Sequence, residues 1–434
     1  MPDGHRKCAL CYGRFQEVIA MSKTASVESS EISAGTQTSH AHQSVGTRDD
    51  LVRRAQALIP MLRARAAEAD TLRRLSAETV RDLKVSGIAR VLQPARYGGC
   101  QAPFAGMVDV LRTIGRGCGS TAWCLAQYIG HNFMVSLWPP PAQEAVWSDA
   151  PDNLVSGILI PLLGRAAKVA GGYTITGQWP FVSGVNNSDW CFLSGMVANA
   201  QDGVAEERYF LVPRGQVTIV PTWDAIGLHG SGSDDIKVEE LFVPEHMTLP
   251  IDCLKGGETP GNRLHPAPLY RSPCYMWFGI LLASASLGMA EGMLTDYVEE
   301  AKKRVALMTG QETRSLMSQH IKVAEAVAAL EAARAVLYAA CDEIMCVLES
   351  GALPDNEQRT RYRCVAAYAG KLAFVAANAI WDAEGGRGVY LKNRIGREYR
   401  NLCTATRHVT HNWDFNAASH GRVKLGLPLD NPSL

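Results

Sequence analysis

The Cys-x-x-Cys pair Cys8-Ala-Leu-Cys11, with His5 close by, is the one arrangement in the sequence that could begin a metal site. Structural zinc usually has four ligands, often two such pairs. No second pair of matching spacing follows, so we expect no metal here. The remaining cysteines of the twelve are scattered, several within apolar helical segments, which is typical of reduced thiols in a cytosolic protein.

The sequence lacks the short motifs of several large enzyme classes. It has no Gly-x-Gly-x-x-Gly after a predicted strand, no phosphate-binding loop, no His-Glu-x-x-His and no Gly-x-Ser-x-Gly. Dinucleotide-fold, P-loop, zinc-peptidase and hydrolase activities are therefore disfavoured. The segment Gly227-Leu-His-Gly-Ser-Gly-Ser is glycine-rich, but locally a flexible turn between strands is its simplest interpretation.

The charge and composition of the chain limit the kinds of binding partner that can be expected. The chain of 434 residues carries 43 Lys+Arg and 43 Asp+Glu, so its formal net charge is zero. This balance gives no reason to expect nucleic acid or an anionic membrane as a partner. The length allows two or three domains with a large buried core.

Apolar spacing divides the chain into four segments. Residues 1–47 are predicted to be a disordered leader, because they are polar from residue 23 onward, and Met21 is an alternative start. Residues 48–150 form an N-terminal helical domain, residues 151–266 a β domain, and residues 267–434 a C-terminal helical bundle and tail.

Individual elements are predicted from local signals. Helices are expected from Ser76 to Gly87, from Phe104 to Gly115, from Ser120 to Leu137 and from Gln319 to Leu348. A hairpin is expected around Gly171-Gly172, and further strands at Trp190–Ser194, Glu207–Val212, Gln216–Val220 and Ile236–Val243. The uncharged stretch Ser272–Ala290 has the length of a membrane span, but it continues into an amphipathic segment and favours a buried helix.

Four segments, taken in order, carry a family resemblance. They are Gly119-Ser-Thr-Ala-Trp, Trp179-Pro-Phe-Val-Ser-Gly, the glycine-rich segment before Leu241-Phe-Val-Pro, and Leu287-Gly-Met-Ala-Glu-Gly. From Arg48 to the C-terminus the chain resembles the acyl-CoA dehydrogenase superfamily. The resemblance implies a mainly α fold with a central β domain: an N-terminal helical domain, a β-barrel domain and a four-helix bundle, with flavin bound between them.

Within that superfamily, the dehydrogenase base is missing. A dehydrogenase needs a carboxylate to remove the α-proton of an acyl thioester. The stretch that matches the usual location begins at Arg400 and has no Glu, and the alternative location, which begins at Tyr275, has no carboxylate either. The chain instead resembles the reduced-flavin-dependent branch, the oxygenase components of 4-hydroxyphenylacetate and 3-hydroxy-secosteroid hydroxylases.

Three residues match that branch one by one. His131 matches a first-domain His near the substrate, Ser183 a Ser near the flavin N5, and His408 a C-terminal His at the flavin edge. The resemblance implies catalytic roles for all three, and cofactor contacts for Ser183, Gly184 and His408. The string around Ser183 departs from the family's Trp-Ser-Ser-Gly, which bears on the substrate more than on the flavin chemistry.

Elementary chemistry is compatible with these roles. A Ser hydroxyl is a neutral donor beside a reactive flavin peroxide, and a His that titrates near neutrality could take a phenolic proton. Each residue also has a structural alternative, a core His or a turn hydroxyl. His408 and His411, three apart on a predicted helix, could face the pocket and the solvent respectively, and we favour His408 for the pocket.

Tryptophans beside these motifs are the remaining cofactor candidates. Trp123 and Trp179 are assigned to the cofactor site, where Trp179 could wall the isoalloxazine, although tryptophans such as Trp123, Trp179 and Trp190 are more often core residues than cofactor contacts.

The resemblance implies an oxygenase component that hydroxylates an aromatic small molecule through a C4a-hydroperoxyflavin. It would use O2 and reduced FMN or FAD from a separate NAD(P)H-flavin reductase. We also expect a cytoplasmic location and a homotetramer, the latter partly because Ser272–Ala290 and the Gln319–Leu348 helix carry more apolar surface than one bundle needs. Two alternatives remain open: an acyl-CoA dehydrogenase-like enzyme with a non-standard base, and a non-catalytic structural oligomer.

Overall fold

Five helices form the N-terminal part of a computed structural model that describes residues 46–198, 205–308 and 310–431. They are α1 (Arg48–Leu72), α2 (Ala77–Ser86), α3 (Phe104–Gly115), α4 (Gly119–Val135) and α5 (Pro140–Trp147). The hydroxyl of Ser76 caps α2, and Gly87 ends it in the left-handed conformation with φ 71°. The helices predicted from these signals are confirmed.

The predicted leader, apart from its last two residues, lies outside the described residues, as do Cys8 and Cys11. The ten cysteines within the described ranges are all free thiols.

The central part is a mixed sheet of eight strands. They are β1 (Val155–Gly157), β2 (Gly164–Val169), β3 (Gly172–Val182), β4 (Trp190–Val197), β5 (Glu206–Pro213), β6 (Thr218–Val220), β7 (Asp234–Pro244) and β8 (Thr248–Pro250). The order is β6-β7-β3-β2-β4-β5-β8, and β1 pairs with β4 in parallel. The predicted hairpin is β2 and β3, with Val169 opposite Gly172.

The C-terminal part returns to helices. They are α6 (Cys274–Ala301), α7 (Met317–Glu349), α8 (Asn356–Glu384), α9 (Arg394–Ala405) and α10 (Trp413–Lys424). Helix α8 packs on both α6 and α7, and α6 also packs on α3 of the first part. The predicted order of helices, sheet and helices is confirmed, whereas the exact domain boundaries remain predictions.

Helix α6 is the centre of this packing. A Cβ at Gly288 of α6 would lie 2.3 Å from the Arg112 carbonyl oxygen, and one at Gly115 of α3 would lie 2.8 Å from the Ala285 carbonyl oxygen. The two backbones therefore touch at a point where no side chain fits. By length and composition α6 and the helical stretch Asn356–Arg387 could each cross a membrane, but 83% and 50% of their apolar windows are buried inside the protein. The expectation of a buried helix at Ser272–Ala290 is confirmed.

Candidate active site

A chain of hydroxyl groups connects the end of β3 to the loop before β7. The Trp123 indole nitrogen on α4 donates to the Ser183 hydroxyl at 3.2 Å. Ser183 lies 2.8 Å from the Ser233 hydroxyl, which in turn lies 2.7 Å from the Ser231 hydroxyl. All three serines are buried.

The hydrogens of this serine chain can be counted. Three hydroxyls carry three hydrogens, and the two bonds between them use two. The Ser183 oxygen already accepts from Trp123. If Ser231 donates to Ser233 and Ser233 donates to Ser183, the hydrogen of Ser183 remains for a ligand. In this arrangement Ser183 would be a neutral donor, the role that the family resemblance implies for it.

The loop that carries Ser231 and Ser233 is fixed in place by α9. A Cβ at Gly227 would lie 2.1 Å from the Arg400 carbonyl oxygen, and the Leu228 amide donates to the Asn401 side chain at 2.7 Å. The glycine-rich segment is thus a packed connection, and its interpretation as a flexible turn is wrong.

Gly184, the residue after Ser183, links the serine chain to helix α4 through its backbone. Its amide donates to the Ser231 carbonyl at 2.8 Å, and its carbonyl accepts from the Tyr128 hydroxyl at 2.8 Å. With φ 75° and a would-be Cβ only 2.4 Å from the Tyr128 oxygen, the position accommodates only glycine. Both of its backbone groups are engaged within the protein.

His408 and His411 do not lie on one continuous α-helix with opposite faces, so that expectation is wrong. Helix α9 ends at Ala405, and the Nδ1 of His408 accepts from the Thr410 amide at the start of a short 3-10 turn, Val409–His411. This local capping bond replaces helical continuation. The turn places both rings inward instead of on opposite sides.

Both histidine rings pack on Trp123. The ring centroids lie 5.7 Å away for His408 and 6.3 Å for His411. His411 is buried and its Nε2 lies 3.3 Å from the Ser286 hydroxyl, whereas His408 is partly accessible. Burial and the nearby Arg363 charge lower the pKa of His408 to about 4, and burial with His408 lowers the pKa of His411 to about 3.

His131 lies apart from this cluster, in an aromatic setting. It follows Trp123 by eight positions on α4, which is about 12 Å along the helix axis. Its ring meets those of Phe192 and Phe278, with centroids 5.5 and 6.2 Å away.

The hydrogen bond of His131 defines its tautomer. Nδ1 lies 3.1 Å from the Val155 carbonyl oxygen, which can only accept, so Nδ1 carries the hydrogen and Nε2 is an acceptor. Burial lowers the pKa of His131 to about 4, despite that bond, which raises it. The expected titration near neutrality is therefore wrong for His131 and His408: burial keeps the His131 ring neutral, and for the partly accessible His408 the Arg363 charge adds to the effect of burial.

Trp179 is placed inside the sheet. Its indole nitrogen donates to the Ser194 carbonyl at 3.0 Å, and its six-membered ring fills the space over Gly164 and Gly177. Among the described residues, no hydrogen bond or ring contact joins Trp179 to the serine chain or to the histidine pair.

One buried carboxylate lies close to the stretch in which no base was found. Glu398 on α9 accepts from the Gly119 amide at 3.4 Å and from the Asn401 side chain at 3.1 Å. Burial raises its pKa. It caps the first turn of α4 and so links α9 to the helix that carries Trp123.

A cavity of about 340 Å³ is lined in part by His411. Its lining comprises Lys371, Phe374, Thr406, Arg407, His411, Asn412, Trp413 and Asp414. Within the described ranges, no group of three or more His, Cys, Asp or Glu could hold a metal ion.

Sequence reasoning passed over several residues of this site. Ser231 and Ser233 lie in the glycine-rich segment that begins at Gly227, so the sequence does mark this part of the site. His411 had been placed on the solvent side. Arg363 and Glu398 carried no local signal, since their partners come from other segments of the chain.

Comparisons with known proteins agree with this geometry. Residues 280–413 match the family description "Acyl-CoA dehydrogenase, C-terminal domain". The chain is 32% identical to a pigment production hydroxylase of Rhodococcus sp. (strain ATCC 21145), over 89% of this chain and 99% of that protein. It is 29% identical to the oxygenase component of an FADH2-dependent resorcinol hydroxylase of Rhizobium sp. (strain MTP-10005), over 90% and 98%.

A solved structure is also similar to this chain. XiaF from Streptomyces sp., in complex with FADH2 and glycerol, superposes with a TM-score of 0.84 at 26% identity, covering 89% of this chain and 98% of that one. The absence of a dehydrogenase base at the two expected positions, the buried serine chain and these relatives agree. The chain belongs to the family of oxygenase components of two-component, flavin-dependent monooxygenases, built on the acyl-CoA dehydrogenase fold.

Proposed function

We propose that this enzyme hydroxylates an aromatic small molecule with O2 and reduced FMN or FAD, with His131, Ser183 and His408 in its active site. The observation that carries the proposal is the buried serine chain beside Trp123 and the neutral His408, which has one more hydroxyl hydrogen than its internal bonds use. The relative named for resorcinol acts on a phenol and is named for FADH2.

The residues present fit a reduced flavin. Ser183 would offer a neutral donor held by the buried Trp123, and the cavity beside His411 carries the cations Lys371 and Arg407, which suit a phosphate. When bound, the flavin supplies the electrons with which O2 is activated. The buried serines and Trp123 would keep water away from the reacting part of the flavin.

Each residue then has a distinct role. Ser183 donates to the cofactor ring, and Trp123 fixes the orientation of that hydroxyl. His408 stays neutral, so it delivers no proton to the cofactor at neutral pH. His131 accepts from the substrate's phenolic hydroxyl through Nε2 and orients it; with a pKa of about 4 it is a better acceptor of a hydrogen bond than of a full proton.

Gly184 and Trp179 support the site structurally and hold other residues in place. Gly184 joins β3 to α4 and to the serine loop through both of its backbone groups. Trp179 supports the strand that leads to Ser183 from within the sheet.

A separate NAD(P)H-flavin reductase supplies the reduced cofactor, and the free cysteines suit a reducing cytoplasm. We also propose a homotetramer. Helix α6 is buried in its own chain and offers no surface for this, but Met317 and Ile321 of α7 are 76% and 60% exposed. A single-chain mass by light scattering at micromolar concentration would contradict the tetramer.

The test is direct. The protein is mixed with FMNH2 or FADH2 without oxygen, then with ¹⁸O2 and a panel of phenols, and products are identified by mass spectrometry. Incorporation of one labelled atom supports the proposal. A protein that purifies yellow and is bleached by acyl-CoA is a dehydrogenase instead, and one that binds no flavin has a structural role.

A further inference from the structure

Arg363 on α8 is a buried cation whose counter-charge is missing. Only 8% of its surface is exposed. Within the part of the chain that the structure describes, it forms no ion pair, and its one hydrogen bond runs from Nε to the Asn416 side chain at 3.0 Å. A guanidinium has five N–H donors, so four have no acceptor among the described residues; the terminal nitrogens are not among the fully buried atoms and are therefore open to a ligand.

The neighbours of Arg363 do not neutralise it. On one side its guanidinium lies 5.6 Å from the ring centroid of Phe415. On another it is close enough to Tyr275 and His408 to affect their ionisation. Because burial without a partner is unfavourable for a cation, it lowers the pKa of Arg363 to about 10, which still leaves the group charged at neutral pH.

Such an arrangement is costly unless a ligand completes it. A buried charge normally requires both a partner and hydrogen bonds. A planar guanidinium with both terminal nitrogens free matches a carboxylate in particular, since two parallel N–H···O bonds can form.

The position of Arg363 relates it to the proposed substrate region. Tyr275 lies one turn before Phe278 on α6, and Phe278 contacts the His131 ring. His408 contacts Trp123 from the other side. Arg363 is therefore near His408 of one region, and near a residue of α6 that lies one turn from the Phe278 contact of the other.

We propose that Arg363 binds the carboxylate of the substrate, so that the enzyme acts on aromatic acids in preference to neutral aromatics. This inference rests on the proposed function, because it assumes that an aromatic compound binds near His131. The shared chemistry is an anion next to a planar ring, which an acidic substrate or the ionised ring of a reduced flavin could supply. The experiment distinguishes these two sources.

The first part of the experiment uses the wild-type enzyme. With reduced FMN or FAD bound under anaerobic conditions, titration calorimetry compares 4-hydroxyphenylacetate with 4-hydroxyphenylacetamide, and 4-hydroxybenzoate with 4-hydroxybenzamide. We expect each acid to bind at least about tenfold more tightly than its amide, as for a charge-assisted hydrogen bond. Equal or weaker binding of both acids overturns the inference.

Variants of Arg363 give the second arm. Arg363→Met is expected to weaken acid binding by roughly 100-fold and amide binding by less than about threefold, and Arg363→Lys to lie between, since it keeps charge but loses the fork. Arg359→Met is the matched control, because Arg359 lies one turn earlier on α8 and bonds to the Pro354 carbonyl. It should leave the preference for acids intact.

The outcomes separate the possibilities. If Arg363→Met weakens reduced-flavin binding and leaves the acid-to-amide ratio unchanged, the charge serves the cofactor and the inference is wrong. If acids and amides lose affinity equally while flavin binding holds, Arg363 is structural and the inference is again wrong. Failure of the proposed function itself would show as no labelled product from any phenol.

Discussion

The two regions of α4 that bear on the chemistry differ in almost every physical respect. Around Trp123 the surroundings are polar: three linked hydroxyls and two neutral imidazole rings, with the Arg363 charge near one of them. Around His131, two turns on, they are aromatic, with a single hydrogen bond to Val155. One region offers many adjustable donors and the other a fixed acceptor among rings.

This difference suggests a division of labour. A cofactor that passes through several protonation states needs partners that can exchange donor and acceptor roles, as hydroxyls do. A substrate ring needs shape and one orienting bond. Variants at the two regions should therefore fail in different ways.

The largest effect is expected from Gly184→Ala, which should destabilise the region around Trp123. The new methyl group meets the Tyr128 hydroxyl in a backbone conformation with φ 75°, so the free energy of unfolding should fall by about 3 kcal/mol. Gly171→Ala is the control: its φ is 80° but nothing lies within 4 Å, and about 1 kcal/mol is expected. Equal losses in urea unfolding would show that contact with Tyr128 contributes nothing.

His131→Ala tests the aromatic region alone. Without the Nε2 acceptor, we expect hydroxylation to slow by roughly 2- to 12-fold, as for the loss of one orienting hydrogen bond worth about 0.5–1.5 kcal/mol, while reduced-flavin affinity is kept. Single-turnover product formation and anaerobic flavin titration measure the two. An equal loss in both would mean that the regions are not separate.

Ser183→Ala should uncouple the reaction instead of stopping it. Loss of one hydrogen bond, worth about 0.5–1.5 kcal/mol, should raise peroxide release per NADH consumed by roughly 2- to 12-fold with little change in substrate affinity. Ser194→Ala is the control, since Ser194 is equally buried and its hydroxyl has no partner among the described residues. Unchanged coupling in Ser183→Ala would remove Ser183 from the cofactor site.

The smallest effect is on pH dependence. His411 has a pKa of about 3 when folded and near 6.5 when unfolded, so the unfolded chain binds an extra proton between these values. The stability contributed by neutral His411 is present above pH 6.5 and is lost as pH falls. His411→Asn should reduce the slope of the unfolding free energy against pH by about 1.4 kcal/mol per pH unit near pH 5, measured by urea unfolding at several pH values.

Local sequence signals predicted the helices and strands better than the contacts of the active site. Helix α2 was readable because Ser76 and Gly87 mark its ends, and β2 and β3 because glycines separate two alternating runs. The end of α9 at Ala405 was missed because no Gly or Pro follows it. There the turn is selected by packing on Trp123 and by a capping bond from Thr410.

Site residues were predictable only where a family pattern names them. Ser183 and His408 were found in this way, but the bond from Trp123 to Ser183 spans 60 positions and that from Ser183 to Ser233 spans 50. Arg363 meets Asn416 across 53 positions. Such pairs have no periodicity, so hydropathy patterns carry no information about them.

The serine chain also has two equivalent hydrogen arrangements. All three O–H bonds can rotate together, so that Ser183 donates to Ser233 and Ser233 to Ser231; the spare hydrogen then sits at the Ser231 end and Ser183 presents a lone pair to the ligand. A concerted rotation thus converts the same atom from donor to acceptor without moving carbon, nitrogen or oxygen. A ring nitrogen that carries a hydrogen in one redox state and none in the other would find a complementary partner in both, at the speed of hydroxyl rotation.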